Sequence, residues 1–376
     1  EVPKLEHNLD RVLFNPGVHV LQDPRSNVYN FTPYLQQVMP VQEFDFDMVS
    51  QYITSSKDQA LGSLAKEHRK KYIGSTSSMT GVLSQFHHLL SQNRLLNISE
   101  LSKNFPGDTT TFTKWQRGPA SVFLVKKPKL GIYAIDSDKS YDQEIVLSLL
   151  GKTLEQLLTT PEIEFENYRK KPVDDKDDKM SQTIDEPKDV YQYSKCGGFI
   201  MRSQLDCVDT RLPGSGVFDL KTRAVCAVRH DMYHVESNGG TNYQIKRLVG
   251  PFESYEREYY EMIRATLLKY SLQARIGNMD GIFVAYHNIR KLFGFQYISL
   301  EDMDKIIHGY NGKSPEDYKF RMSMKLWTIA LDRFSQDHPD KSMRLIFHAS
   351  TETEGVMDIY VAPMEEKDIV QLQDRG

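Results

Sequence analysis

The chain has 376 residues, of which 39% are hydrophobic and 11% aromatic, enough apolar material to bury a sizeable core in one large or two ordinary domains. A run of about eighteen apolar residues, which a membrane-spanning helix needs, does not occur, and three cysteines are too few for a disulfide scaffold. The net charge of −4 argues against a uniformly basic nucleic-acid-binding surface, although residues 166–189, with eight acidic and six basic side chains, carry half of it.

The N-terminal part is predicted to consist of an arm and a helical region. Residues 1–40 are rich in Pro, Asn and aromatic side chains without a regular period, which predicts an extended arm packed on the surface. The sequence begins at Glu1 with neither an initiator Met nor a signal-peptide pattern, so we expect the native N-terminus to have been processed or trimmed. Residues 41–114 are predicted to form a helical accessory region, because apolar side chains recur there at helical spacing.

Residues 115–376 are predicted to form the core. Two β-like segments flank the turn Lys127-Pro128-Lys129 and predict a hairpin, and a helix is expected from about Tyr141 to Leu158. Residues 166–190 are highly charged and poor in apolar side chains, which predicts a flexible insertion within this core.

Strand and helix patterns alternate over the rest of the chain. The predicted elements are a hairpin over 198–228, a helix over 253–275 ended by Gly277-Asn278, a strand over 281–286, helices that begin at the capping boxes Ser299/Asp302 and Ser314/Asp317, and strands over 345–348 and 357–362. This interleaving predicts an α/β or α+β fold around one central mixed β-sheet flanked by helices.

Chemistry is indicated by the segment from Gly216 to Thr222. Side chains alternate along a strand, so Asp219 and Lys221 are expected on one face, with apolar side chains on the other. Folding of the hairpin brings either Asp206 or Asp209 across from Asp219, and the sequence leaves this register open.

Two carboxylates beside a lysine suit phosphodiester hydrolysis. Carboxylate oxygens are hard ligands for Mg²⁺, and a nearby cation stabilises negative charge on the attacked phosphate. An Asp and Lys pair on a solvated strand face is the alternative explanation for the same spacing.

Asp206, followed by a hairpin and the sequence Asp219-x-Lys221, resembles the signature of the PD-(D/E)XK nucleases, especially their recombination-nuclease branch. The resemblance implies a restriction-endonuclease-like core with a central mixed β-sheet, to which residues 41–114 add an N-terminal helical extension. It also implies that Asp206, Asp219 and the backbone carbonyl of Leu220 bind Mg²⁺ or Mn²⁺, and that Lys221 assists the attacking water.

Further site residues follow from the same resemblance. A glutamate on the preceding helix would complete the metal site, and Glu155, which follows Gly151 at a favoured spacing, is preferred over Glu144. That branch also places a glutamine and a tyrosine four residues apart on a later helix to contact nucleic acid. Here the nearest match is Glu256 and Tyr260. Arginines that flank the site are candidate phosphate-binding residues, namely Arg202, Arg211, Arg223 and Arg229.

Over nearly the whole chain the sequence resembles a family of fungal mitochondrial RNA-processing proteins that trim transcript 5′ ends. The stretches that carry this resemblance are 72–81, 216–223 and 268–281. It implies a 5′-to-3′ exoribonuclease of the mitochondrial matrix that acts on single-stranded RNA and engages the mitochondrial RNA polymerase.

Three other interpretations remain open. Cys226, His230 and His234, with Cys207 nearby, have a spacing that zinc ligands can show. A nuclease-like fold could hold RNA or the RNA polymerase without cutting. The substrate could also be DNA, because recognition of the ribose 2′-hydroxyl has no short sequence signature.

Overall fold

The computed structural model describes residues 1–140, 146–170, 189–230, 243–309 and 315–373, and helices and strands alternate along these ranges as predicted. The helices are α1 (Gln59–Glu67), α2 (Thr76–Ser91), α3 (Lys114–Arg117), α4 (Val146–Thr159), α5 (Glu162–Phe165), α6 (Cys226–His230), α7 (Tyr255–Ala265), α8 (Leu267–Ile276), α9 (Leu300–His308), α10 (Pro315–Asp337) and α11 (Glu366–Gln373). The strands are β1 (Val18–Val20), β2 (Tyr72–Ser75), β3 (Ala120–Lys127), β4 (Ile132–Ser137), β5 (Tyr191–Cys196), β6 (Phe199–Gln204), β7 (Cys207–Val208), β8 (Val217–Ala224), β9 (Gly281–His287), β10 (Leu292–Ser299), β11 (Ser342–Ala349) and β12 (Met357–Met364).

Seven of these strands form one mixed sheet, in the order β12-β11-β3-β4-β2-β6-β5. β2 runs parallel to both of its neighbours, β4 and β6, whereas the other pairs are antiparallel. The pair β3 and β4 is the hairpin predicted around Lys127-Pro128-Lys129. The strands predicted near the end of the chain are also present, as the antiparallel pair β11 and β12.

The other five strands form a second mixed sheet, in the order β1-β10-β9-β8-β7. β8 runs parallel to β9 and antiparallel to β7. All residues of β9 are buried, as expected for a strand that is covered on both faces. The predicted α/β class with mixed sheets and flanking helices is confirmed, and its strands are divided between two sheets.

The segment between β6 and β7 joins the sheets. β6 ends at Gln204 in the larger sheet, and β7 begins at Cys207 in the smaller one. The hairpin predicted over 198–228 is therefore shorter than expected, because β7 is the only part of its first arm that pairs with β8. Asp206 lies in this junction, one residue before the pair formed by Cys207 and Phe218.

The single helix predicted over 253–275 is also wrong, because α7 and α8 are separated at Thr266. This residue has φ −137° and ψ −17°, outside the helical region, and its hydroxyl accepts a hydrogen bond from Arg223 at 3.4 Å. The break allows α8 to pack against α2 and to contact β6 and β9. Gly277, followed by Asn278 at φ 49°, ends α8 as predicted.

Local signals at other helix ends agree with the structure where it describes them. Ser299 and Asp302 form the predicted capping box at the start of α9, with hydrogen bonds in both directions. The second predicted capping box begins at Ser314, which lies outside the described residues. Ser75 and Ser78 form a further capping box at the start of α2, which the sequence analysis missed.

The N-terminal regions contribute strands to both sheets. β1, from the predicted arm 1–40, pairs with β10, and β2, from the predicted accessory region 41–114, lies at the centre of the larger sheet. These regions are thus built into the sheets as well as packed on them. The division of the chain at residues 40 and 114 stays a prediction, and most of the predicted insertion, 171–188, lies outside the described residues.

Two large apolar clusters fill the molecule. One joins the larger sheet to α2, α8 and α10 and contains Phe199 and Trp327. The other lies behind β8 and joins Phe218 and Leu220 to α4 and to N-terminal residues such as Leu9. Among the helices that the structure describes, none has both the length and the apolar composition needed to cross a bilayer.

Candidate active site

A polar cavity of about 240 Å³ opens near the junction of the two sheets. Its walls come from β8, the junction between β6 and β7, α4, α8 and the N-terminus of α2. The lining residues are Tyr52, Ser75, Thr76, Ser77, Glu155, Tyr191, Arg202, Ser203, Gln204, Asp206, Asp219, Leu220, Lys221, Gln273 and Met279. The four predicted catalytic residues are thus brought together in one cavity.

Asp219 and Lys221 reach the cavity from the same face of β8. Phe218 and Leu220 alternate with them and pack in the apolar cluster behind the strand, which confirms the predicted alternation. The side-chain Nζ of Lys221 lies 2.5 Å from Oδ2 of Asp219, and both side chains are largely buried. A close ion pair is therefore held at the base of the cavity.

Asp206, and not Asp209, is the second carboxylate. The pairing of Cys207 with Phe218 places Asp206 beside Asp219, and Oδ2 of Asp206 accepts a hydrogen bond from the backbone N–H of Leu220 at 2.9 Å. Asp209 instead forms an ion pair with Arg211 at 2.5 Å. The structure thus resolves the register that the sequence left open.

Glu155 enters the cavity from α4, which packs against β8. Burial raises the pKa of Glu155 to about 7, with the negative charge of Asp219 adding to the shift and Lys221 opposing it. This shift shows that Glu155 shares the electrostatic environment of the pair on β8. The competing candidate, Glu144, lies outside the described residues.

The two aspartates have opposite protonation preferences. Burial and the charges of Asp219 and Glu155 raise the pKa of Asp206 well above its usual range. Burial also disfavours ionised Asp219, but the charge of Lys221 and a hydrogen bond from Asp206 outweigh it and lower the pKa of Asp219. We therefore assign the shared proton to Asp206 and the negative charge to Asp219.

Lys221 is the cation that balances this site. Burial favours its neutral amine, but the charges of Asp219 and Asp206 outweigh burial and raise the pKa of Lys221. The amine accordingly stays protonated at neutral pH. The ammonium group of Lys221 can therefore stabilise negative charge on a phosphate.

The donor set fits a hard divalent cation. Oδ2 of Asp219 is buried, and apart from the ion pair with Lys221 it has no hydrogen-bond partner in the described structure. No group of three or more His, Cys, Asp or Glu side chains among the described residues is arranged to enclose a metal ion. Mg²⁺ usually needs only one or two carboxylates, because waters and substrate phosphates supply its other ligands.

The alternative zinc site receives no support from the residues that the structure describes. Cys207 is buried in the apolar cluster behind β8, and the Sγ of Cys226 lies 3.7 Å from the hydroxyl of Tyr243. His234 lies outside the described residues. The buried thiol of Cys207 packs as a small apolar side chain.

Arg202 lines the cavity, but its guanidinium is already bound within the protein. It forms a buried ion pair with Asp58 at 2.5 Å and donates to the carbonyl of Ile53 at 2.5 Å. The side chains of Arg202 and Asp58 are only 3% and 8% exposed. The structure thus assigns Arg202 a role in packing α1 against the sheet.

Arg223 is also buried, at 4% exposure, and is not among the residues that line the cavity. It donates to the hydroxyl of Thr266. Arg211 and Arg229 form ion pairs with acidic residues of the chain. The prediction that arginines of this strand region contact phosphate is therefore not supported by their positions.

The position of Tyr260 does not support the predicted contact with nucleic acid. Its side chain is 4% exposed, its hydroxyl donates to the carbonyl of Thr109 at 2.8 Å, and it is not part of the cavity wall. Glu256, its predicted partner, accepts hydrogen bonds from two backbone N–H groups. Both residues lie on α7 and stabilise the fold.

The second half of the broken helix supplies the residues that sequence reasoning missed. Gln273 of α8 lines the cavity, and Nζ of Lys221 lies 5.3 Å from the ring centre of Tyr270. A glutamine and a tyrosine three residues apart on one helix were a usable signal. The sequence predicts one continuous helix over 253–275, and on that helix Glu256 and Tyr260 are the nearest match to the expected pattern.

A model of the protein family described as mitochondrial protein Pet127 matches residues 52–332, which is more than half of the chain. The chain belongs to the Pet127 family. The matched range contains all four predicted catalytic residues. Membership confirms the family and the mitochondrial localisation expected from the sequence, whereas the matrix as the compartment stays a prediction.

Two Pet127 relatives match most of this chain. The putative mitochondrial translation system component PET127 of Saccharomyces cerevisiae is 50% identical over 329 residues, which cover 83% of this chain and 39% of that protein. The mitochondrial mRNA degradation protein pet127 of Schizosaccharomyces pombe is 37% identical over 375 residues, which cover 98% of this chain and 69% of that protein. This chain therefore spans well under half the length of the S. cerevisiae relative.

Among solved structures, this chain is similar to S. pombe Rai1 in complex with 3′-FADP. The TM-score is 0.44 and the sequence identity 13%, over 97% of this chain and 96% of that chain.

Proposed function

We propose that this chain is a divalent-metal-dependent exoribonuclease that degrades single-stranded RNA from its 5′ end by phosphodiester hydrolysis. The observation that carries the proposal is the meeting of Asp206, Asp219, Lys221 and Glu155 in one polar cavity. Burying a charged group costs free energy unless the group is paired or binds a metal ion. Three carboxyl groups that line one cavity with a single lysine therefore support a metal and phosphate site.

Asp206, Asp219 and Glu155, with the backbone carbonyl of Leu220, would hold Mg²⁺ or Mn²⁺. When bound, the ion supplies a more acidic water as nucleophile and neutralises charge that develops on the phosphate. The raised pKa values of Asp206 and Glu155 support this assignment, because burial and the neighbouring carboxylates outweigh the charge of Lys221 at both groups.

The protein's own side chains orient and stabilise the reacting phosphate. Lys221 stays protonated, so its ammonium group places a fixed positive charge where negative charge increases during attack. Asp219 fixes the position of that ammonium group through the ion pair at 2.5 Å. Lys221 thus acts as a cation that stabilises the reacting phosphate.

The identity of the substrate and the direction of attack rest on the family resemblance. The S. pombe relative, 37% identical, is named an mRNA degradation protein, which supports RNA as the substrate class. Attack from the 5′ end and engagement of the mitochondrial RNA polymerase are carried over from the family and have no separate structural support.

The decisive experiment is degradation of single-stranded RNA and DNA labelled at either end, in Mg²⁺, in Mn²⁺ and in EDTA. We expect labelled mononucleotides from 5′-labelled RNA, metal dependence, and a loss of about 100-fold or more in kcat/KM for Asp219→Asn and Lys221→Ala. Asp209→Asn is the matched control, because Asp209 follows β7 on the same hairpin but pairs with Arg211 outside the cavity.

Three outcomes would contradict this proposal in different ways. Preferential cleavage of DNA would show that DNA and not RNA is the substrate. If Asp209→Asn lowers kcat/KM as much as Asp219→Asn does, the assignment of Asp206 as the second carboxylate is wrong. If no substrate is cut with either metal while RNA still binds, the nuclease-like fold serves as a binding scaffold.

A further inference from the structure

Trp115 is the most exposed large apolar side chain in the described part of the chain, at 94%. The chain has two tryptophans, and the other, Trp327, is fully buried in the core. A large aromatic ring held in water has no role in packing. Such rings are commonly surfaces for stacking or for partner contacts.

The backbone that carries Trp115 is held firmly. Thr113 caps the short helix α3, and the backbone N–H of Thr113 donates to the carbonyl of Arg264 at 3.1 Å. At the other end, the side chain of Gln85 on α2 donates to the carbonyl of Gly118 at 2.7 Å. These hydrogen bonds fix α3 from both ends. The exposure of Trp115 is therefore a feature of an anchored turn and not of a loose loop.

α2 links Trp115 to the catalytic cavity along one side. Ser77 lines the cavity, Gly81 is exposed, and Gln85 binds the loop of α3, so these residues follow each other at four-residue spacing. From Ser77 to Gln85 the helix rises about 12 Å. Ser77 and Gly81 are exposed and Gln85 is buried against the loop of α3, so an RNA strand that leaves the cavity beside Ser77 would cross Gly81 before it reaches the turn that carries Trp115.

The charge around Trp115 suits an anionic chain. Lys114 and Arg117 belong to α3 with Trp115, and the guanidinium of Arg264 donates to the carbonyl of Thr111, four residues before Trp115, at 3.0 Å. Aromatic rings beside cationic side chains are the usual platform for single-stranded nucleic acid, because every base has a face that can stack.

We propose that Trp115 stacks on a base of single-stranded RNA that extends from the catalytic cavity along α2. The inference rests on the proposed function for the identity of the ligand. It assigns a binding site outside the cavity, and it predicts that RNA long enough to span the distance to Trp115 binds more tightly than short RNA.

The test uses the natural fluorescence of the protein in EDTA, where RNA is bound but not cut. Because Trp327 is fully buried, quenching by added RNA reports Trp115. An oligouridylate of about 12 nucleotides should quench the emission, whereas a dinucleotide should not. In Trp115→Phe the quenching should disappear, although Trp327 still emits.

Affinity for labelled RNA, measured by anisotropy, gives the second readout. Trp115→Ala should weaken binding of the longer RNA by about tenfold, Trp115→Phe should weaken it by about twofold, and both should bind the dinucleotide like the wild type. Tyr360→Ala is the matched control, because Tyr360 is an aromatic side chain on β12 that is 62% exposed.

Failure of this inference is distinguishable from failure of the proposed function. If RNA is cut, but its addition does not quench the emission and Trp115→Ala does not weaken its binding, the stacking site is refuted. If RNA quenches and binds as expected but is never cut, the stacking site stands and the nuclease proposal fails.

Discussion

Protonation of Glu155 links the cavity to the stability of the fold. Burial raises the pKa of Glu155 from 4.5 to about 7, so between these values the folded protein holds a proton that the unfolded chain has released. Stability therefore falls as the pH rises across this window, and Asp206, whose pKa is also raised by burial, acts in the same direction. Asp219 and Lys221 titrate outside the window, because the pKa of Asp219 is lowered and that of Lys221 raised.

Glu155→Gln should stabilise the metal-free protein at alkaline pH. The substitution keeps the shape of the side chain and removes the cost of ionising it, so the free energy of unfolding in EDTA should rise by about 2 kcal/mol at about pH 8 and change little at about pH 5. Urea denaturation at both pH values measures this. Glu164→Gln, on the exposed surface of α5, is the control, and a gain that is the same at both pH values would refute the assignment to ionisation.

The placement of side chains could be predicted from the sequence where the repeat of the backbone is short. Alternation along a strand was enough to place Asp219 and Lys221 on one face, because the period of a strand is two residues. The choice between Asp206 and Asp209 depended on where β6 leaves one sheet and β7 enters the other, a tertiary feature that no local pattern records. The burial of Tyr260 likewise depends on contacts with the distant residue Thr109.

At the scale of elements, a buried ion pair connects α1 to the larger sheet. Asp58 accepts a hydrogen bond from the backbone N–H of Leu61 and so caps α1, while it pairs with Arg202 of β6. The pair lies beside the cavity that Arg202 lines. Removal of the carboxylate would leave a buried guanidinium without its charged partner.

Asp58→Ala should therefore lower the free energy of unfolding by about 3 to 5 kcal/mol. Asp58→Asn should cost less, because an asparagine still caps the helix. Chemical denaturation of the two variants measures the difference. If Asp58→Ala lowers the free energy of unfolding by only about 1 kcal/mol or less, as for an exposed ion pair, then Asp58 does not hold Arg202 in place. Arg202 would then again be a candidate for phosphate binding.

Element types were predictable along the chain, whereas element ends were predictable only where a cap or a turn marks them. The turn at Lys127-Pro128-Lys129 and the capping box at Ser299 both marked real boundaries. The break at Thr266 has no such mark, since threonine also occurs inside helices and its conformation here is fixed by contacts such as that with Arg223. The division into two sheets is also a tertiary outcome.

At the scale of the whole molecule, the N-terminal residues and the catalytic strand share one apolar cluster. Leu9, Leu35 and Phe44 are fully buried in the cluster that also holds Phe218 and Leu220, directly behind Asp219 and Lys221. Side chains such as Val146 and Ile289 pack against both large clusters. The fold that holds the site should therefore unfold as one cooperative unit, from the N-terminal residues to α10.

Trp327 allows this cooperativity to be measured. In the Trp115→Phe background it is the only tryptophan, and it reports the cluster that does not contain Leu9. Leu9→Ala should cost about 2 to 5 kcal/mol and shift the unfolding transition seen by Trp327 fluorescence as far as that seen by circular dichroism. The control is Leu95→Ala, whose side chain is 59% exposed. If the fluorescence transition stays in place while the circular dichroism transition moves, the two clusters unfold separately, and the N-terminal residues then stabilise only the sheet that carries β8.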